Sequence, residues 1–66
     1  MNWEIVTLED GRQRCHALLN ERRLNLYDWK SGRVDWVVYD STGEEVIAEG
    51  RCGSIEEAMA LAEAAA

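Results

Sequence analysis

The sequence predicts an α+β domain: an antiparallel meander of four to five strands with one C-terminal helix packed on one face. Three observations predict it. Short breaks ending in glycine separate segments rich in β-branched and aromatic residues, apolar side chains alternate within those segments, and the final segment switches to helical spacing. The breaks are Glu9-Asp10-Gly11, Lys30-Ser31-Gly32 and Ser41-Thr42-Gly43.

The first hairpin is expected over about residues 3–9 and 12–19, with Asp10-Gly11 as a two-residue type I′ turn. A turn at Asn20-Glu21-Arg22 then puts Trp3, Ile5, His16 and Leu18 on the apolar face, in a register that a slip of one residue would invert. Strands of about residues 23–29 and 33–39 meet at Lys30-Ser31-Gly32. Trp29 opposite Arg33 sets Leu26 beside Trp36 and Leu24 beside Val38. A fifth strand, about 45–51, follows the last break; with Asp40 facing Glu44, Val38 lies opposite Val46 and Trp36 opposite Ala48. Gly32 and Gly43 fall where such loops need a positive φ, which glycine reaches without steric cost.

The helix is expected over about residues 55–65. Ser54 and Glu57 have the spacing of a capping box, in which the serine accepts from a free helix N–H and the glutamate reaches back. Ile55, Ala58, Met59, Ala62 and Ala65 recur on one side, with Glu56 and Glu63 on the other. Glu56 and Glu57 in the first turn also complement the helix dipole.

The chain has 66 residues, 47% of them hydrophobic, with no proline and no phenylalanine. That is one domain over 1–66, too apolar for a disordered tail and too small to enclose a sizeable pocket. Its longest apolar run, Ala58 to Ala62, is far short of the roughly 20 residues of a membrane helix. Together with a start, Met1-Asn2-Trp3-Glu4, that lacks a basic-then-apolar pattern, this leads us to expect a cytoplasmic protein with no membrane contact.

Charge is uneven along the chain. Residues 1–34 hold six Lys/Arg against five Asp/Glu, whereas residues 35–66 hold Arg51 alone against eight acids. A net charge of −6 repels nucleic acid and favours basic protein surfaces, although acidity also serves solubility. Arg12, Arg14, Arg22 and Arg23 form a small basic cluster in sequence, weak against that total.

Catalytic and metal motifs are absent. Cys15 and Cys52 lack metal-ligand spacing; they read as two small buried thiols, though one bridge between them is open to the chain. His16, the only histidine, adjoins Cys15, and neighbours on a strand point to opposite faces, which opposes a Cys–His couple. No enzyme activity and no cofactor are expected.

One helix covers one side of a sheet. The other side is expected to carry Asn25, Tyr27, Val37, Tyr39 and Ile47, interrupted by Arg23, Asp35, Glu45 and Glu49. Tyr27, Val37, Tyr39 and Ile47 form the expected contact face for a partner or for a second copy, unless the N-terminal hairpin curls over and buries them in a barrel-like core.

The run Trp36-Val37-Val38-Tyr39-Asp40 with Gly43, then Ile47-Ala48-Glu49-Gly50 and Ser54-Ile55-Glu56-Glu57-Ala58, resembles a pattern in small phage and proteobacterial proteins, over about the last half of the chain. In size, acidity and lack of catalytic motifs the chain also resembles phage-encoded inhibitors of the anti-CRISPR type, a resemblance of type without diagnostic residues. It implies an inhibitor whose acidic surface, Asp40, Glu44, Glu45, Glu49, Glu56 and Glu63, would mimic nucleic acid and block the basic channel of a host CRISPR effector complex. The alternative is a small homodimeric, antitoxin-like regulator built on the uncovered face.

Overall fold

The chain reverses direction at four turns, and each reversal lays a strand beside the one before it. The computed structural model describes residues 2–66. Strands β1 (Glu4–Thr7), β2 (Gln13–Leu19), β3 (Arg22–Asp28), β4 (Val34–Tyr39) and β5 (Val46–Cys52) form one antiparallel sheet in the order β1-β2-β3-β4-β5, and helix α1 (Ile55–Ala65) follows. This is the expected α+β meander with a C-terminal helix, and all five strands are present.

Two turns differ from the sequence expectation by one residue each. At the first hairpin the Leu8 N–H donates to the Arg12 carbonyl at 2.8 Å and the Gly11 N–H to the Leu8 carbonyl at 2.9 Å, so the loop is Glu9-Asp10-Gly11, with Gly11 at φ 88°. The Asp10 carboxylate accepts the Arg12 backbone N–H at 3.0 Å, which holds this longer loop open in place of a type I′ turn. At the second hairpin Leu19 pairs with Arg22 across two residues only, Asn20 (φ 54°) and Glu21 (φ 63°). Both sit in the left-handed region, as a type I′ turn requires, and asparagine tolerates it better than most.

A one-residue slip exchanges the faces of a strand. Cys15 and Ala17 are therefore buried, whereas His16 and Leu18, expected on the apolar face, are exposed, Leu18 at 73%. The slips on either side of β2 cancel for β1. Ile5 aligns with Cys15, so Trp3 and Ile5 keep the expected face, with Trp3 packed against the core.

The third hairpin has the expected register: Trp29 N–H donates to the Arg33 carbonyl, Leu26 pairs with Trp36, and Leu24 with Val38. The fourth is displaced by two residues. Val38 faces Ala48 and Trp36 faces Gly50, because Asp40 N–H reaches the Glu45 carbonyl and a bulge leaves Ile47 unmatched between Val46 and Ala48. The Asp40 carboxylate accepts from the Thr42 hydroxyl (2.8 Å) and the Glu44 N–H (3.1 Å), which stabilises the wider loop. After the bulge the two-residue shift keeps Ala48 and Gly50 on the helix side, but before it Val46 is matched with Tyr39, leaves the apolar face and is 46% exposed.

The core is Cys15, Leu24, Leu26, Val34 and Val38 of the sheet against Ala58 and Ala62 of the helix, lined by Trp3, Trp36, Ile55 and Met59. Alanine at 58 and 62 lets the helix approach the sheet closely, and both are fully buried. Ser54 caps α1 by accepting the Glu57 N–H at 3.1 Å, and the Glu57 carboxylate accepts the Gly53 N–H at 3.3 Å. The Arg22 guanidinium donates to the carbonyls of Ala65 and Ala66 at the other end, a positive group where the helix dipole is negative. Cys15 and Cys52 are both free; β3 and β4 lie between them, about three strand spacings or 14 Å, beyond the reach of a disulfide.

Candidate interaction face

The side of the sheet away from α1 is built by alternate residues of every strand. Cross-strand neighbours run in rows: Val6, Arg14, Tyr27, Asp35 and Arg51 in one, and Glu4, His16, Asn25, Val37 and Glu49 in the next. Leu18, Arg23 and Tyr39 continue in the third. The sheet does not close: β1 and β5 are opposite edges, so among the described residues no strand or helix covers this face.

Its centre is Tyr27, Val37 and Tyr39, each half-buried by neighbours in the sheet and open above. Ile47, 40% exposed at the bulge, borders them. Burial pushes the Tyr27 phenol above its ordinary pKa, with the neighbouring Tyr39 side chain adding to the effect, so the Tyr27 hydroxyl stays neutral at neutral pH. Arg14 lies over the Tyr27 ring at 5.0 Å, a cation–π contact. Sequence reasoning missed that pair because it needs the true facing of β2.

Asp35 ties the face to one end of the sheet. Its carboxylate accepts the Trp29 indole N–H at 3.0 Å and Arg51 Nε at 3.1 Å, with Arg33 at 3.8 Å. The Trp29 ring is flanked by the guanidinium groups of Arg12 at 5.6 Å and Arg33 at 5.4 Å. Desolvation raises the Asp35 pKa, but the bonds from Trp29 and Arg51 and the Arg33 charge outweigh it and hold the carboxyl below the usual range. Asp10 is also lowered, first by the Arg12 backbone N–H, and Asp40 by the Thr42 hydroxyl.

A carboxyl whose folded pKa is depressed stabilises the fold above its unfolded value, about 3.9, and that contribution is lost as pH falls through the folded value. The Tm difference between the wild type and Asp35→Asn should therefore shrink as pH falls from 6 toward 2. A difference that stays constant across that range would show that the ionised carboxylate contributes nothing.

The acids singled out by sequence do not share one surface. Glu49 stands on the open face, Glu44 and Glu45 at the loop before β5, and Glu56 and Glu63 on the helix at the other side of the sheet. Asp40 is engaged within its loop, and Glu63 accepts the Trp3 indole N–H at 2.9 Å. Glu44, Glu45, Glu49 and Glu56 have no cationic partner within 4.0 Å among the described residues. The basic cluster of the sequence also divides. Arg12 and Arg14 stack on aromatic rings, whereas Arg22 holds the helix end and Arg23 donates to the Ser41 carbonyl at 3.0 Å.

Cys15 is buried on the helix side, and His16 stands on the open face, bonded to Glu4 at 2.6 Å. No cluster of His, Cys, Asp and Glu suited to a metal ion occurs among the described residues, and no helix is long and apolar enough to cross a membrane. No family model matches the chain, and neither a curated protein nor a solved structure does so.

Proposed function

We propose that this chain is a non-catalytic protein-binding module whose open sheet face is the contact surface. The observation that supports it is the cluster of Tyr27, Val37 and Tyr39, half-buried side chains on a side that no other element covers among the described residues, with Arg14 and Arg23 beside them. Tyrosine and arginine are the side chains that most often carry interface energy, because each buries a large area while keeping polar groups to pair. The net charge of −6 steers the module toward a partner with a basic surface.

A second reading is that of a phage-encoded inhibitor that blocks the nucleic-acid site of a host defence complex. It is favoured by the carboxylates of Glu44, Glu45, Glu49 and Glu56, which have no cationic partner within 4.0 Å among the described residues and which precede, occupy or follow β5.

One capture experiment separates the two. Tagged wild type and Tyr39→Glu are used to capture partners from a bacterial lysate that carries active CRISPR complexes, washed at rising salt. On the first reading Tyr39→Glu loses the partner, with at least about a tenfold drop in recovery, since a charge in a desolvated contact costs well over 1.4 kcal/mol. On the second, Tyr39→Glu still captures a nucleic-acid-handling complex and salt alone releases it, as exposed ion pairs are screened over about 8 Å. A partner held equally by both proteins and at all salt concentrations would eliminate both.

A further inference from the structure

The order β1-β2-β3-β4-β5 leaves two free sheet edges, and they are unequal. β1 is four residues long, whereas β5 is seven. Which groups β5 leaves free follows from alternation along an antiparallel ladder. Trp29 donates to Arg33 across the third hairpin, so Arg33, Asp35, Val37 and Tyr39 spend their main-chain groups on β3. Val34, Trp36 and Val38 spend theirs on Cys52, Gly50 and Ala48. The N–H and C=O of Glu49 and Arg51 therefore point away from the sheet, and no protein group among the described residues accepts or donates to them.

Glu49 and Arg51 carry opposite charges, flank Gly50, and stand on the same face, opposite Val37 and Asp35. Two antiparallel copies of β5 centred on Gly50 would put Glu49 of each against the partner's Arg51. Those are the residues whose main-chain groups are free, so each pair exchanges both N–H···O bonds while its side chains form an ion pair. Gly50 meets the partner's Gly50 on the axis, where neither has a side chain to collide. A register one pair to either side loses this. Centred on Glu49 it opposes two carboxylates, and centred on Arg51 two guanidinium groups.

We propose that the chain forms a two-fold dimer by pairing β5 with β5 of a second copy, in the register centred on Gly50. The product is one continuous ten-stranded sheet, with both helices on one side and both open faces on the other. Edge addition of this kind is a recurrent mode of recognition, with main-chain bonds supplying affinity and side chains the register.

Charge exchange tests it. By light scattering the wild type should have twice the 7.5 kDa chain mass. Glu49→Arg alone places arginine against arginine, and Arg51→Glu alone glutamate against glutamate, so each should be monomeric, with dimer affinity reduced at least about tenfold. An equimolar mixture of the two restores both ion pairs and should return to the dimer mass. Glu49→Pro removes an outward N–H without touching the bonds to β4, and should be a folded monomer. The proposal is overturned if the wild type is monomeric, if either charge variant or the proline variant stays dimeric, or if the mixture stays monomeric. Tyr39→Glu should leave the dimer intact, so the fate of the open face as a docking surface is read separately.

Discussion

Leu24→Ala is expected to remove about a third or more of the stability of this domain. Leu24 has no exposed surface, lies on the central strand between Ala17 and Val38, and packs under α1. Truncating such a side chain costs about 3 kcal/mol, the lost transfer energy plus the cavity left behind. A 66-residue domain holds only about 3–10 kcal/mol in total. The neighbours offer little help, because Ala17, Ala58 and Ala62 are too short to close the space. Thermal unfolding should show a Tm lower by about 15 °C or more, or no cooperative transition at all. Leu61→Ala is the control: Leu61 is 40% exposed on the helix, and its truncation should shift stability by no more than about 0.5 kcal/mol. If the two variants unfold together, Leu24 is not the centre of the core.

Gly50→Ala sets local propensity against packing. Gly50 lies in β5 with no positive φ, so an alanine there should stabilise the strand by about 0.5–1 kcal/mol on backbone grounds alone. An added Cβ, however, would lie 2.7 Å from Cε2, Cζ2 and Nε1 of Trp36. These atoms belong to the rigid middle of the indole, which lies flat on the glycine and cannot swing aside like the end of a lysine. The indole N–H finds no hydrogen-bond partner there, a further sign that ring packing sets the arrangement. Forcing the ring away should cost about 1–3 kcal/mol, lowering Tm by roughly 5–15 °C. Adding Trp36→Leu to Gly50→Ala should cost less than the sum of the two single changes, because each removes the same collision. A Gly50→Ala variant with an unchanged or higher Tm would mean that the ring yields freely.

The strand count, the helix and the β3–β4 register were legible because glycines and alternation fix them locally. Gly32 marks one loop end, and Leu24, Leu26, Trp36 and Val38 then have only one way to share a face. The two errors of one residue come from turn chemistry held by side chains. Asp10 bonds the backbone of Arg12 and lengthens its loop, while Asn20-Glu21 makes a left-handed pair without any glycine to announce it. Asp10 could have been read as a loop-stabilising side chain; nothing in Glu21 signals its conformation. The facing of β2 depends on both turns, so Arg14 over Tyr27 was out of reach from sequence. Tyr27, Val37 and Tyr39 were readable because they depend on the third hairpin alone, whereas the scatter of the acids over loop, sheet and helix is a tertiary result that composition does not contain.

Because each strand pairs with its predecessor in the chain, no long loop must be closed before a contact rewards it. The sheet can grow one hairpin at a time, and the entropic barrier at each step is small. Its apolar side has no cover until α1 docks, since Ala58 and Ala62 come last in the chain order. A sheet that has formed before its helix therefore presents Leu24, Leu26 and Val38 to water along with its open edges. That short-lived species, and not the finished domain, is the form most exposed to aggregation.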